Sequence, residues 1–161
     1  TSPSRAGQTA DMRGTKHPPV MLVVVEDSDE DFDTVQEAVK RAGFPAEVFR
    51  AATGGDGLTV LRAQSPTRPT LVLMDLNTPA TDGREALLAI KVDPALKSVP
   101  VVVLSTSANP KDIAVCYAAG ANAYHVKPVR HPDHLAALID LLTYWLSRAV
   151  LPAGQGGTHE K

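Results

Sequence analysis

The chain has 161 residues, with 16 Lys and Arg against 18 Asp and Glu for a formal net charge of −2, which is the length of one compact domain and offers no basic excess for nucleic acid. Its apolar runs reach about six residues where a membrane-spanning helix needs roughly 20, and no charged-then-apolar signal pattern opens it, so we expect a cytoplasmic protein that contacts neither nucleic acid nor membrane. The single cysteine, Cys116, rules out an internal disulfide and has no Cys or His partners at metal-ligand spacing.

Residues 1–19, rich in Ser, Thr, Gly, Arg and Pro, show no apolar periodicity and read as a disordered leader, with one folded domain expected over 20–151. Val20–Val25 is apolar without alternation, the pattern of a strand covered on both faces, and Glu26 and Asp27 follow it. Over Asp29–Ala42 the residues Phe32, Val35, Ala38, Val39 and Ala42 recur at spacings of three and four, which predicts a helix ending at Gly43. An alternating edge strand over 46–50 and a short helix over 55–63 come next. Thr70–Asp75 and Val101–Ser105 are two more apolar strands, with a helix over 83–91 between them. Asn109 as N-cap and Pro110 at the first helical position open a helix over 110–119, closed by Gly120. A short fifth strand over 124–126 leads to Lys127. The longest helix, over 131–150, has a core stripe of Leu135, Leu138, Ile139, Leu142, Leu146 and Ala149, and the glycine-rich segment 152–161 reads as a disordered tail.

Five strands alternating with five helices predict an α/β fold built on a doubly wound parallel sheet, with the flavodoxin-like strand order 2-1-3-4-5 taken by analogy. In that fold the carboxyl ends of the strands share one rim, so Glu26, Asp27, Asp75, Ser105 and Lys127 would meet in one pocket. Clustered carboxylates either raise a pKa or recruit a cation, and hard oxygen donors with room for water suit Mg²⁺. We expect Asp27 and Asp75 to touch the metal and Glu26 to act mainly through water. Asp75, alone at a central strand end, is the candidate nucleophile toward phosphorus, Lys127 the cation for the arriving charge and Ser105 a hydroxyl for one phosphoryl oxygen. Taken singly, each of these residues is an ordinary turn, cap or surface residue, and only their joint placement points to phosphoryl chemistry. His125, His131 and His134 read as surface or packing residues.

At this point the residues resemble the receiver domains of two-component response regulators, through Val-Glu-Asp at 25–27, Met-Asp-Leu-Asn-Thr-Pro at 74–79, Asp82-Gly83, Leu-Ser-Thr-Ser at 104–107 and Tyr-His-Val-Lys-Pro at 124–128. The resemblance implies that a histidine kinase phosphorylates Asp75, that Glu26, Asp27 and the Asn77 backbone carbonyl hold Mg²⁺ with it, and that Ser105 and Tyr124 move together to change the surface of the fourth helix, fifth strand and fifth helix. It also implies a cis Lys127–Pro128 peptide. Glu at 26, Ser at 105 and Thr at 106 depart from the commoner Asp, Thr and smaller residue; the first two keep the charge and the hydroxyl, and Thr106 narrows access to the pocket. Within receivers, the Asp-Gly-Arg-Glu at 82–85 and the late Tyr144-Trp145-Leu146 with Leu151-Pro152 are similar to stand-alone regulators paired with bacterial phytochromes. That narrower likeness implies a bacteriophytochrome as the kinase and no output domain beyond 152.

Leu141 and Trp145 fall beside the core stripe of the last helix, an apolar flank that suits self-association and equally suits a Trp145 covering the core edge. The resemblance implies a homodimer through this face. A phosphate sink that drains its kinase fits the same residues as a signalling switch. A phosphatase that turns over an aspartyl phosphate is the enzymatic alternative, but Asn77 stands where such an enzyme needs a general acid, so we expect a phosphoacceptor with only self-phosphorylation and self-dephosphorylation. A flavin or nucleotide module would want a Gly/Ser/Thr-rich turn after the first strand, where Glu26-Asp27-Ser28-Asp29 repels phosphate instead.

Overall fold

In the computed structural model, which describes residues 9–10, 16–17, 19–64, 67–76 and 80–152, five strands form one parallel sheet: β1 (Val20–Val25), β2 (Ala46–Ala51), β3 (Thr70–Asp75), β4 (Val101–Ser105) and β5 (Ala123–Val126), in the order β2-β1-β3-β4-β5. This is the expected 2-1-3-4-5 arrangement. Thr9–Ala10 and Lys16–His17 form a two-residue antiparallel pair apart from it. Most of the leader and tail segments anticipated at 1–19 and 152–161 lies outside the described residues.

Because successive side chains of a strand point to opposite faces, each central strand feeds two cores. Met21, Val23, Val25, Val72, Met74, Val101 and Val103 pack on one face with Leu61, Leu87, Ile90 and Cys116, which belong to α2 (Gly54–Gln64), α3 (Ala80–Val92) and α4 (Pro110–Ala118). Leu22, Val24, Leu71, Leu73, Val102 and Leu104 pack on the other with Val35 and Ala38 of α1 (Asp29–Ala42) and Leu138, Leu141 and Leu142 of α5 (His131–Thr143). Burial on both sides explains why the central strands read as unbroken apolar runs. Cys116 is fully buried, and burial raises its thiol pKa, as befits a packing residue.

Gly43 and Asn109 mark helix ends as expected, and Ser28 adds an unanticipated N-cap. The Ser28 hydroxyl accepts from the Asp31 N–H at 3.2 Å, Gly43 closes α1 at φ +79°, and the Asn109 side chain accepts from the Lys111 N–H at 2.9 Å ahead of α4. The last helix differs from expectation. Its α-helical part ends at Thr143, and Tyr144–Arg148 winds as a π-helix in which the Ala149 N–H donates to the Tyr144 carbonyl at 2.8 Å. Hydroxyl back-bonding widens this turn: Thr143 donates to the Ile139 carbonyl at 2.7 Å and Ser147 to the Thr143 carbonyl at 2.6 Å, competing with the backbone ladder.

Gly120, between α4 and β5, has φ +109°, and a Cβ there would lie 2.6 Å from Cγ of Lys91, whose ammonium is spent on the Lys97 and Val99 carbonyls at 3.1 and 2.7 Å. Gly43 also has positive φ, but a Cβ there meets no described atom within 4 Å. Gly43→Ala should therefore lose about 1 kcal/mol of stability and Gly120→Ala about 2–3 kcal/mol, since the second adds a clash to the strain. Urea unfolding of both variants measures the difference.

Candidate phosphoacceptor site

Parallel registry brings the anticipated residues together. Glu26 and Asp27 follow the last residue of β1, Asp75 ends β3 opposite Leu104, Ser105 ends β4 opposite Val126, and Lys127 follows β5. The Lys127 N–H donates to the Ser105 carbonyl at 2.7 Å, which locks the last two to neighbouring positions on the rim. Glu26 and Asp75 are each 2 % exposed and Lys127 8 %, whereas Asp27 opens to solvent. Asn77, expected to add a backbone carbonyl, lies outside the described residues.

The centre of the site is the Lys127 ammonium. It stands 3.0 Å from Oδ2 of Asp75, 3.8 Å from Oε1 of Glu26 and 3.4 Å from Oδ2 of Asp31. Burial works against its charge, but the attraction of Asp75, Glu26 and Asp31 prevails and raises its pKa above the ordinary lysine value. Glu26 is pushed up to about 8, first by burial and then by its hydrogen bond and repulsion with Asp75, against the opposing pull of Lys127 and the Ser28 N–H at 3.2 Å.

The loop that presents the acidic pair is braced from the neighbouring strand. Arg50 donates through Nε to the Glu26 carbonyl at 3.1 Å and through Nη1 to Asp29 at 2.8 Å, and its guanidinium lies 4.9 Å from the Phe32 ring centre. The ring helps hold that guanidinium in place.

Beyond the pocket a polar chain leads outward. The Ser105 hydroxyl accepts from the Ser107 N–H at 3.1 Å, the Tyr124 hydroxyl donates to the Ser107 carbonyl at 2.8 Å, and the Ser107 hydroxyl donates to Asp112 at 2.6 Å. Asp112 in turn accepts from Nη2 of Arg84 at 3.2 Å, so Ser107 links the pocket to Tyr124, α3 and α4.

Two features escaped the sequence reading. Asp31 enters the pocket from the first turn of α1, and its position three residues after the Ser28 cap was the signal, since side chains there lean toward the start of the helix. Ser107 and Asp112 were invisible as a pair because each is an ordinary residue beside a helix start. His134 is buried on the first turn of α5, where burial and the nearby Lys127 charge depress its pKa, consistent with a packing role. Two expectations need correcting. Leu141 is only 5 % exposed and belongs to the core, because the stripe of α5 that meets the sheet is broader than the heptad-like set read from sequence; Trp145 is half-buried against the same cluster. The Lys127–Pro128 peptide is trans, an isomer that proline leaves within easy reach.

Glu26, Asp27 and Asp75 offer carboxylate oxygens within 4.8 Å of one another. Three carboxylates against one ammonium leave a deficit of positive charge, met within the protein by a proton on Glu26, and hard oxygen donors so arranged fit a divalent cation.

A doubly wound sheet with an acidic, lysine-bearing pocket at its carboxyl rim matches the comparison with known families: the response regulator receiver domain model matches residues 22–140. The chain belongs to the response regulator receiver family. It is 36 % identical over 146 residues to the response regulator Rcp1 of Synechocystis sp., covering 88 % of this chain and 99 % of Rcp1. Among solved structures it is similar to the phosphorylated cyanobacterial phytochrome response regulator RcpA, with a TM-score of 0.75 and 39 % identity over 82 % of this chain and 97 % of that one. It is likewise similar to the Mn²⁺-bound form of Rcp1, with a TM-score of 0.76 and 37 % identity over 84 % and 99 % of the two chains.

The raised Glu26 pKa would make binding of a divalent ion at this cluster pH-dependent. A carboxyl raised in the folded state contributes stability that is full below its unfolded value of 4.5 and is lost as pH climbs to about 8, so the metal-free protein should weaken across that window. Because the ion competes with the Glu26 proton, Mg²⁺ affinity should rise toward pH 8 by up to about tenfold per pH unit, with proton release on binding. Calorimetry in buffers of different ionisation enthalpy measures both, and Glu26→Gln should flatten the profile.

Proposed function

We propose that this receiver is a phosphoacceptor switch: Asp75 takes a phosphoryl group from a histidine kinase in a Mg²⁺-dependent reaction, and the change is read on the surface of α4, β5 and α5. The observation that carries this reading is the buried Asp75–Lys127 contact of 3.0 Å beside two further carboxylates. Glu26, Asp27 and Asp75 would hold the ion, which supplies charge neutralisation for the donor's phosphoryl oxygens. Asp75 attacks phosphorus with a carboxylate oxygen. Lys127 neutralises charge on the arriving group, and the Ser105 hydroxyl donates to one of its oxygens.

The Ser105–Ser107–Tyr124 chain supports transmission, since any shift of Ser105 toward a phosphoryl oxygen disturbs the backbone segment that holds the tyrosine hydroxyl. Likeness to Rcp1 and RcpA supports a phytochrome-type kinase as the donor. A homodimer remains part of the proposal, formed through the half-buried Trp145 and the more exposed Tyr144, whose rings meet edge to face at 5.4 Å, with Leu141 as the core residue beneath. Turnover of other substrates is not part of it.

With Mg²⁺ and phosphoramidate, the intact protein should gain the mass of one phosphoryl group, and Asp75→Asn or chelation should abolish the gain. A gain retained by Asp75→Asn refutes the reading. Ser105→Ala should slow phosphorylation by about 100–1,000-fold, the range expected for loss of one donor to a developing anion. Tyr124→Phe should leave phosphorylation intact but remove the change in hydrogen exchange that phosphorylation produces on α4 and β5.

A further inference from the structure

We propose that Asp31 is a positioning residue for Lys127: its carboxylate holds the ammonium toward the mouth of the pocket, where the incoming phosphoryl group must lie. This inference rests on Asp75 being the phosphoacceptor. Lys127 meets carboxylates at two depths. The side chains of Asp75 and Glu26 are each 3 % exposed and form the floor, whereas that of Asp31 is 39 % exposed and stands at the rim, 3.4 Å from the ammonium. Asp31 is fixed there by the first turn of α1, whose Ser28 cap binds the Asp31 N–H at 3.2 Å. His134, buried on α5, adds to the protein packed around the lysine.

The chemistry requires a partner of this kind. When an Asp75 oxygen gives its electron pair to phosphorus, the phosphorus–nitrogen bond of protonated phosphoramidate breaks and ammonia leaves with the bonding pair. Asp75 becomes a neutral acyl group, and its negative charge is replaced by the phosphoryl oxygens farther out. Lys127 thereby loses its strongest ion pair on the floor and has to follow the charge outward. An ammonium has three donors and no directional fork, so its position is set by which anions surround it. Asp31 is the partner among these three that the reaction leaves chemically unchanged and that does not belong to the metal-binding cluster. Without its charge, Asp75 and Glu26 would draw the lysine inward, tying up the nucleophile and withdrawing the cation from the arriving group.

The test compares phosphorylation rates with phosphoramidate at saturating Mg²⁺, read by intact mass, for variants shown by thermal unfolding to be folded. Asp31→Asn should slow the reaction about five- to tenfold, the scale of a modest misplacement of a catalytic group. Asp31→Glu should recover most of the loss, and Asp33→Asn, which removes an exposed charge from the same helix, should stay within about twofold of wild type. In a Lys127→Gln background, Asp31→Asn should make no further difference, a result that a merely structural aspartate would not give. An unchanged or faster Asp31→Asn protein, an equal slowing by Asp33→Asn, or additivity with Lys127→Gln overturns this inference alone. A wild-type protein that gains no phosphoryl group overturns the assignment of Asp75 and this inference with it.

Discussion

Lys127 is buried at the carboxyl rim of the sheet against Asp75 and Glu26, and one ammonium facing two buried carboxylates sets the character of the whole site. Removing one member of a buried ion pair leaves an uncompensated charge in a poorly polarisable interior, which is strongly destabilising. The lysine therefore has to stay, and so does a shortage of positive charge around it. The protein meets that shortage with a proton on Glu26, whose pKa rises to about 8 through burial and the neighbouring Asp75. A divalent cation would meet it differently and free the proton. A phosphoryl group on Asp75 would redraw the balance again, by moving negative charge from the carboxylate to oxygens nearer solvent. One pocket with a standing electrostatic imbalance can thus respond to pH, to metal and to covalent modification through the same few side chains.

The sheet turns that local imbalance into geometry. Ser105 and Lys127 sit on neighbouring strands joined by a 2.7 Å backbone hydrogen bond, so a demand placed on one is felt by the other. From Ser105 the bonds through Ser107 reach Tyr124 on the edge strand and, by way of Asp112 and Arg84, the two helices on that side of the sheet. In the proposed switch this chain carries the output, because its members are polar, few and replaceable in pairs, whereas the apolar cores beneath them are close-packed and yield only as rigid bodies. Arg50 serves the opposite end of the rim: it holds the loop bearing Glu26 to the second strand, which braces the acidic side of the pocket.

Likeness to Rcp1 and RcpA extends over more than four-fifths of this chain and nearly the whole of those proteins, so the comparison bears on the entire described domain and not on the pocket alone. The π-helical turn at Tyr144–Arg148 lies within that domain. It places the exposed Tyr144 edge to face against Trp145, which is half-buried on the same core cluster as Leu141, one turn earlier.

The sequence by itself determined the alternation of strands and helices and most of the pocket, whereas the strand order was taken by analogy. Apolar runs without alternation such as Val20–Val25 read as strands covered on both faces, Asn109 and Gly43 mark helix ends, and a parallel sheet then forces the residues after its strands onto one rim. Glu26, Asp27, Asp75, Ser105 and Lys127 were legible for that reason: each is a polar residue at the end of an apolar run. Tertiary structure alone decided what depends on distances between elements far apart in the chain. Asp31 meets Lys127 across 96 residues because α1 begins and β5 ends at the same rim, Asp112 of α4 meets Arg84 of α3 across 28 residues, and Leu141 is buried because it joins the core cluster on its face of the sheet. Periodicity specifies which face of an element is apolar, but the angle and depth at which that face docks come from the summed packing of all the elements, which no single stretch of sequence contains.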